Sequence, residues 1–420
     1  MGDSRPKNPA PHLLELKDKL YRLAQDIEFH KSNMNPSDPI QKKMKEDLEK
    51  IRSDVHVCIA ADKTQNRYMV GVDDYNGLLE KEIHKDYKKG SKEMLVKATE
   101  TQAKAANELQ IGDKLNITAK SDAYVTIKDH KNGFPNNVKT RLINPAKPDL
   151  GKVAKVMVQE INEGVRNKTG LGQVRKTSEI INWFKDLDND VRSFTVFDVT
   201  SFYPNITEEL VTKALNWASS HVTISQQDMK TIMAACESFL FCKNEIWTKK
   251  DGKCKCDITM GSFCGAEIAE LVGLFLLSEL EKNEILAKLY RDDGIYATKK
   301  PPKAAHLEAE KIKDIFKKHG LSLELEDNQQ KVNFLDVHLN LIDRTFEPFM
   351  KPNFKPLYVH TRSNHPPKVI EAIPKGVNYR LSNISCNVEK FDKVKPVFQK
   401  ALDDAGHKFE LNFNPNPKIW

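Results

Sequence analysis

Two adjacent carboxylates, Asp292 and Asp293, stand within LAKLYRDDGIYATKK, between short apolar, aromatic-bearing runs that favour a strand. Such a pair is either a polar turn, for which Asp-Gly is a common choice, or part of a cation site. The second reading needs another carboxylate from elsewhere in the chain. SFTVFDVTSFYPNI supplies one: Phe194 to Val199 is apolar on both faces apart from Asp198, as in a strand buried on both sides. An aspartate ending such a strand is costly unless it is protonated, paired or bound to a cation. ITEELVTKALNWA then begins a helix with Thr207 as N-cap, and MGSFCGAEIAELVGLFLLSELE leads through a glycine-punctuated loop into a mostly apolar, hence buried, helix. With a helix after the first strand and another before the second, the two strands can lie side by side in one sheet. Asp198, Asp292 and Asp293 then converge at one edge. Hard oxygen ligands of that kind suit magnesium, and two ions roughly 3.5–4 Å apart would serve an in-line displacement at phosphorus.

The chain before these strands divides by texture. Leu13, Leu16, Leu20, Leu23 and Ile27, then Ile40, Met44, Leu48 and Ile51, mark two amphipathic helices separated by NMNPSDP. From Val55 the pattern turns strand-like, and VHVCIAADKTQNRYMVGV reads as a hairpin with Asp62-Lys63 near its turn. A lysine- and alanine-rich helix covers Lys92 to Leu109. A strand, a turn on Asn132-Gly133 and a second strand follow, and the region from Lys128 to Lys155 gathers cations against only Asp129 and Asp149. A solvated charged loop explains most such runs; a hairpin flanked by cations is also what would sit over a triphosphate. A further hairpin is expected around Lys249 to Gly252.

The length of 420 residues allows about two or three domains or one multi-lobed body. A net charge of +7 leans only mildly towards polyanions, so where the cations cluster matters more than their sum. Seven cysteines without a repeating framework suit a reducing compartment, and Cys242, Cys254 and Cys256 lack a fourth zinc ligand at finger-like spacing. No leading apolar segment and no run of about 18 apolar residues occurs, so neither export nor membrane insertion is expected. An intracellular location, nuclear or cytoplasmic, follows.

Taken together, the motifs carry a resemblance. Tyr290-Arg291-Asp292-Asp293 matches the Tyr-x-Asp-Asp box of reverse transcriptases, and FDVTSFYPNI resembles their first aspartate motif. ADKTQNRYMVGVDDY and IKDHK…KTRLINP look like fingers blocks, MGS at Met260 to Ser262 like the glycine loop, and VNFLDVHL like the primer-grip strand. LYVHTRSNHPPKVIEAIPKGVNYRLSNIS resembles the early thumb. The chain is most similar to the reverse transcriptases of Penelope-like retroelements, relatives of telomerase, over about Asp54 to Ser385. The resemblance implies an α+β right-hand polymerase: a helical N-terminal extension at 1–54, fingers at 55–190, a palm with an antiparallel sheet at 191–345, and a thumb at 346–420. It implies an RNA-directed DNA polymerase that extends a DNA or RNA primer with dNTPs on an RNA template, using two Mg2+ ions, with Mn2+ as a substitute.

The same resemblance assigns roles to residues. Asp198, Val199, Asp292 and Asp293 form the metal site, and the three aspartates are catalytic. Lys63 and Arg141 contact the triphosphate, where a flat guanidinium suits phosphate oxygens. Gly261 lets the backbone approach template or nucleotide, Tyr203 occupies the position of the steric gate against a ribose 2′-hydroxyl, and Lys331 is the candidate proton donor to pyrophosphate. Lys128, Lys131, Lys351, Lys355 and Arg362 contact nucleic acid. The chain departs from the family at Thr126 to Lys131, where many relatives have Pro-Lys-Ile-His-Lys, at Arg141-Leu142-Ile143, where they have Arg-Pro-Ile, and at Phe263 to Ala266, where they have Pro-Leu-Ser-Pro. These bear on how the nucleotide is seated. Gly294-Ile295-Tyr296 has no Tyr-Ile-Gly partner, so the GIY-YIG endonuclease that many relatives carry after the thumb is not expected. Three other readings stay open: an RNA-dependent RNA polymerase, against which an aromatic at Tyr203 argues; a catalytically silent nucleic-acid-binding protein, which would have no reason to keep buried carboxylates; and a template-independent terminal transferase, whose product would not copy the template.

Overall fold

A computed structural model describes residues 56–415 except 63, 65, 113–120, 130, 147–148, 238, 251–257, 259–261 and 352–353, together with 19, 42–47 and 49. The two helices expected before residue 55 lie largely outside the described residues; 42–47 are helical. Residues 1–57 form one unit and 58–420 another.

The larger unit is organised by a four-stranded antiparallel sheet in the order β11-β6-β10-β9, formed by Leu323–Gln329, Ser193–Val199, Asp293–Thr298 and Lys288–Tyr290. The two strands expected to lie together, β6 and β10, are neighbours along their length. Side chains alternate between the faces of this sheet, so each face builds its own core. Phe197, Val199, Leu289 and Tyr296 pack onto helices α3 (Leu150–Thr169), α6 (Glu208–Ser219), α8 (Gly265–Glu281) and α9 (Pro302–Lys318). Phe194, Val196 and Ile295 face a second core, shared with α4 (Thr177–Lys185), strands β12 to β14 (Lys331–Phe334, Val337–Asn340, Thr345–Pro348) and helices α10 (Pro367–Asn383) and α11 (Val388–Asp404).

Helix starts follow the local chemistry. Thr207 Oγ1 accepts from Leu210 N at 3.1 Å, the cap the sequence indicates for α6. Ser225 and Asp228 form a reciprocal capping box on α7 (Gln226–Cys236). Helix α8 is apolar nearly all round and is buried against both α3 and α6, so each enclosed leucine contributes about 1.5–3 kcal/mol relative to exposure.

A smaller lobe holds three sheets. The expected hairpins form as β1 (His56–Ala60) with β2 (Arg67–Gly71), and β4 (Tyr124–Ile127) with β5 (Thr140–Ile143). Gly133 takes the left-handed φ of +92° that the turn between β4 and β5 requires. Helix α1 (Val72–Asp86) leads into β3 (Tyr87–Lys89), which pairs with β8 (Glu245–Lys249) and, beyond it, β7 (Leu240–Cys242). Helix α2 (Lys92–Glu108) matches the expected lysine- and alanine-rich span and lays Ala105 and Ala106 on the core of the larger sheet. The third hairpin turns at Lys243-Asn244, both at positive φ, before the place expected; residues 251–257 lie outside the described ones. Leu240 and Trp247 therefore pack with Leu79, Ile83 and Tyr87, although they follow β6 in the chain.

Candidate active site

Register places the carboxylates. Asp293 is the Cα partner of Asp198 across β6 and β10, and directly opposed residues of an antiparallel pair share a face. Glu324 on β11 opposes Asp198 from the other side, so three acids form a row across the sheet. The Asp198 and Asp293 carboxyl groups are in hydrogen-bonding contact, which needs a proton shared between them. Asp292 is a turn residue: β9 and β10 are joined through Arg291 and Asp292, and the Asp292 carbonyl accepts from Val199 N at 2.9 Å. Asp293 is thus the direct partner of Asp198, and Asp292 acts on it through its charge.

Asp-Gly does not make the turn. Arg291 carries the positive φ, +58°, whereas Gly294 lies in β10, where a Cβ would stand 2.1 Å from the Phe197 ring. Glycine is needed here because Phe197 crosses the neighbouring strand at that point. This answers what the glycine does, and it frees both aspartates from a turn-only role.

Asp198 is open to a cavity of about 230 Å³, yet its carboxyl is held above the usual carboxylate range. Loss of hydration is the largest cause and the charge of Asp292 the next; the contact with Asp293 and the charge of Lys131 pull the other way, and Glu324 raises it further. Val199 also lines the cavity while its side chain is buried in the core.

The rest of the lining is mainly cationic, although Glu82 and Asp86 also belong to it. Lys128, Lys131, Arg141 and Lys249 line the same cavity. Arg141 Nη1 pairs with Asp62 Oδ1 at 3.0 Å, which aims its guanidinium. Burial, and then the neighbouring charge of Arg141, lower the pKa of Lys128. Lys249, 7% exposed, has Nζ over the Tyr87 ring at 5.0 Å. The β1–β2 and β4–β5 hairpins are locked by a buried acid: Asp129 Oδ2 accepts from Thr64 Oγ1 at 2.6 Å, Asn66 Nδ2 at 2.8 Å and Tyr68 OH at 2.9 Å.

Ser201 takes a left-handed φ of +51° just after β6, and the short helix α5 (Phe202–Asn205) follows. Tyr203 lines the cavity beside Asp198 and Asp292. Its hydroxyl is pushed above the ordinary tyrosine value, chiefly by burial, with Arg291 opposing and Asp292 adding to the shift.

The remaining expected residues separate. Lys63 and Gly261 lie outside the described residues. Lys331 begins β12, exposed, in a different sheet, and does not line this cavity. Its offset from the sheet strands, rather than its residue type, is what separates it. Lys355 and Arg362 are exposed and Lys351 is partly buried, none of them lining the cavity. Arg380, a further cation in α10, is engaged by Asp336 at 2.7 Å. Lys249 and Glu324 had no sequence signal, because nothing local to either residue indicates the strand it opposes.

The Asp198–Asp293 pair is a partial donor set for a divalent cation. Two carboxylates in hydrogen-bonding contact, with a third charge close by, are not all ionised without a proton or a cation between them. Among the described residues, no group of three or more His, Cys, Asp or Glu side chains is placed to hold a metal ion, so water and ligand oxygens would have to supply most of the shell.

No protein-family model matches the sequence, and no curated protein matches it. Solved structures resemble it in fold, telomerases among them. A telomerase from Candida albicans, in complex with a TWJ fragment of telomeric RNA, is 10% identical, covers 95% of this chain and 68% of its own, and superposes with a TM-score of 0.55. The apo telomerase from Candida tropicalis is 9% identical over 93% of this chain and 74% of its own, with a TM-score of 0.53. At such identities the likeness is one of fold. Among the described residues no helix is long and apolar enough to cross a membrane.

Proposed function

We propose that this chain is an RNA-directed DNA polymerase, a reverse transcriptase of the Penelope-like kind. The observation that carries the reading is one cavity lined by Asp198 and Asp292 together with Lys128, Lys131, Arg141 and Tyr203, with Asp293 paired to Asp198 in the sheet behind it. The likeness in fold to telomerases supports it. Residues 55–190, 191–345 and 346–420 would then be fingers, palm and thumb.

Asp198, Asp292 and Asp293 would hold Mg2+, which supplies Lewis acidity for the primer 3′-hydroxyl and the leaving pyrophosphate when bound. Lys128, Lys131 and Arg141 would neutralise the triphosphate, with Asp62 orienting the Arg141 guanidinium towards phosphate oxygens. Tyr203 would close the space that a ribose 2′-hydroxyl needs and so select dNTPs. Since its phenol stays protonated well above neutral pH, it would act by its bulk. Lys355 and Arg362 would contact a primer–template backbone, giving affinity that falls with salt. An RNA template fits the Candida albicans telomerase, which was solved with an RNA fragment.

Primer extension on a defined RNA template tests the reading. The wild type should copy the template with dNTPs and Mg2+, and Asp292→Asn should lose at least about a hundredfold in rate. Equal Mg2+-dependent synthesis by both proteins would refute the site, and binding without synthesis by the wild type would favour a silent nucleic-acid-binding protein. Tyr203→Ala should raise ribonucleotide incorporation; an unchanged dNTP/rNTP preference removes Tyr203 from that role.

A further inference from the structure

The turn that carries Asp292 is held in a conformation it would not choose. Arg291 sits at φ +58°, in the left-handed region that a tight hairpin usually fills with glycine or asparagine. A side chain costs free energy there and persists only where surroundings over-determine it. Those surroundings are specific. Arg291 N donates to Gln173 Oε1 at 2.9 Å, and the Arg291 guanidinium donates to the Ala266 carbonyl in the first turn of α8. Gln173 Nε2 donates in turn to the Glu270 carbonyl at 3.1 Å, one turn further along the same helix. The next residue, Val174, donates its N–H to the Leu289 carbonyl in β9 at 2.7 Å.

Gln173 thus bridges helix and hairpin with both ends of its amide satisfied. The helix is shaped for it. Gln173 is 6% exposed, and at Gly273 a Cβ would stand 1.8 Å from its Nε2. Glu270, whose carbonyl anchors the amide, has its own carboxylate paired with Arg166, which fixes that part of α8 against α3. A buried glutamine with a glycine opposite, tied to the one strained residue of the Asp292 turn, is more than packing requires.

We propose that Gln173 is a positioning residue that sets the Arg291–Asp292 turn against Asp198. The inference rests on the polymerase reading of this cavity. Gln173 touches no reacting atom; it acts by fixing a backbone amide, and through it the place of the Asp292 carboxylate.

The test replaces Gln173 with methionine, which keeps the length and removes the amide. Mn2+ binding to the protein alone, followed by electron paramagnetic resonance, is read beside kcat and KM for primer extension and the melting temperature. Gln173→Met should weaken Mn2+ binding and lower kcat about tenfold each, with the dNTP KM within about twofold of wild type. Gln173→Glu retains the acceptor for Arg291 N and should recover part of both losses, which simple packing does not predict. In an Arg291→Gly background, where the left-handed φ costs little, Gln173→Met should cost about threefold or less. A Gln173→Met protein with wild-type Mn2+ binding and kcat, whatever its melting temperature, overturns the inference and leaves the polymerase reading standing. A wild type that neither binds Mn2+ nor extends a primer overturns the polymerase reading, and this inference with it.

Discussion

The two walls of the cavity are held in place by different means. The acidic wall is a product of backbone pairing: the β6–β10 and β6–β11 ladders put Asp293 and Glu324 on either side of Asp198. Each ladder spans several residue pairs, so no single side chain sets the register. The cationic wall is a product of side chains. Asp62 holds Arg141, and Asp129 collects donors from Thr64, Asn66 and Tyr68 on the facing hairpin. Between these two small sheets the backbone adds a short bridge, with Asp62 N donating to the Ile127 carbonyl at 2.6 Å, and the side-chain bonds reinforce it. The acids are therefore placed robustly, whereas single substitutions can displace the cations.

The largest effect expected from this contrast is at Asp129. Asp129→Ala leaves the buried Thr64 hydroxyl without its acceptor, at about 1–3 kcal/mol, and releases the part-buried Asn66 and Tyr68 to water. The nucleotide KM in primer extension should rise about tenfold, with affinity for primer–template nearly unchanged. A KM that stays at the wild-type value breaks the comparison, because the cationic wall would then not depend on its anchor. Gly294→Ala probes the other wall. Phe197, packed edge-on to Phe316 at 5.6 Å, has to move, at about 1–3 kcal/mol in thermal or denaturant unfolding. Phe197→Leu in the same chain should restore part of the loss. If Gly294→Ala costs nothing, the sheet is softer than its register implies.

The smallest effect is a pH dependence. In the folded chain the carboxyl of Asp198 is raised by lost hydration and by Asp292, so the folded state binds this proton more tightly than the unfolded chain does. Its contribution therefore favours folding at low pH and is lost as pH rises through the folded value. Metal-free Asp198→Asn should melt above wild type at neutral pH, with the difference vanishing below the ordinary carboxylate range. A difference that is constant with pH would show that Asp198 carries no such strain, and that the acidic wall is not electrostatically poised for a cation.

Much of this was legible residue by residue. The β6 strand, the Thr207 cap, the span of α2 and the two hairpins around Asp62 and Gly133 follow from patterns a few residues long. The site was legible only as a set. That Asp198 and the Asp292-Asp293 pair belong together was readable, but which of the pair faces Asp198 was not, since a one-residue slip in pairing exchanges them. The hairpin turn at Lys243-Asn244 escaped notice because neither residue is glycine, and β8 reaches the cavity through Lys249 by way of a partner strand far back in the chain. The role of Lys331 comes from the resemblance alone, and a likeness in sequence carries no direction in space.

Periodicity, caps and turn preferences are local forces, and the amino-acid order was enough to specify which segments become strands and helices and which side chains have the chemistry of a cation-dependent site. Tertiary packing settled the rest: that Asp293 opposes Asp198, that Phe197 demands a glycine at 294, that Lys249 joins the cationic wall, and that Gln173 reaches the Asp292 turn. Those are pairings between distant residues, and their free energy exists only once the cores on both faces of the sheet have closed.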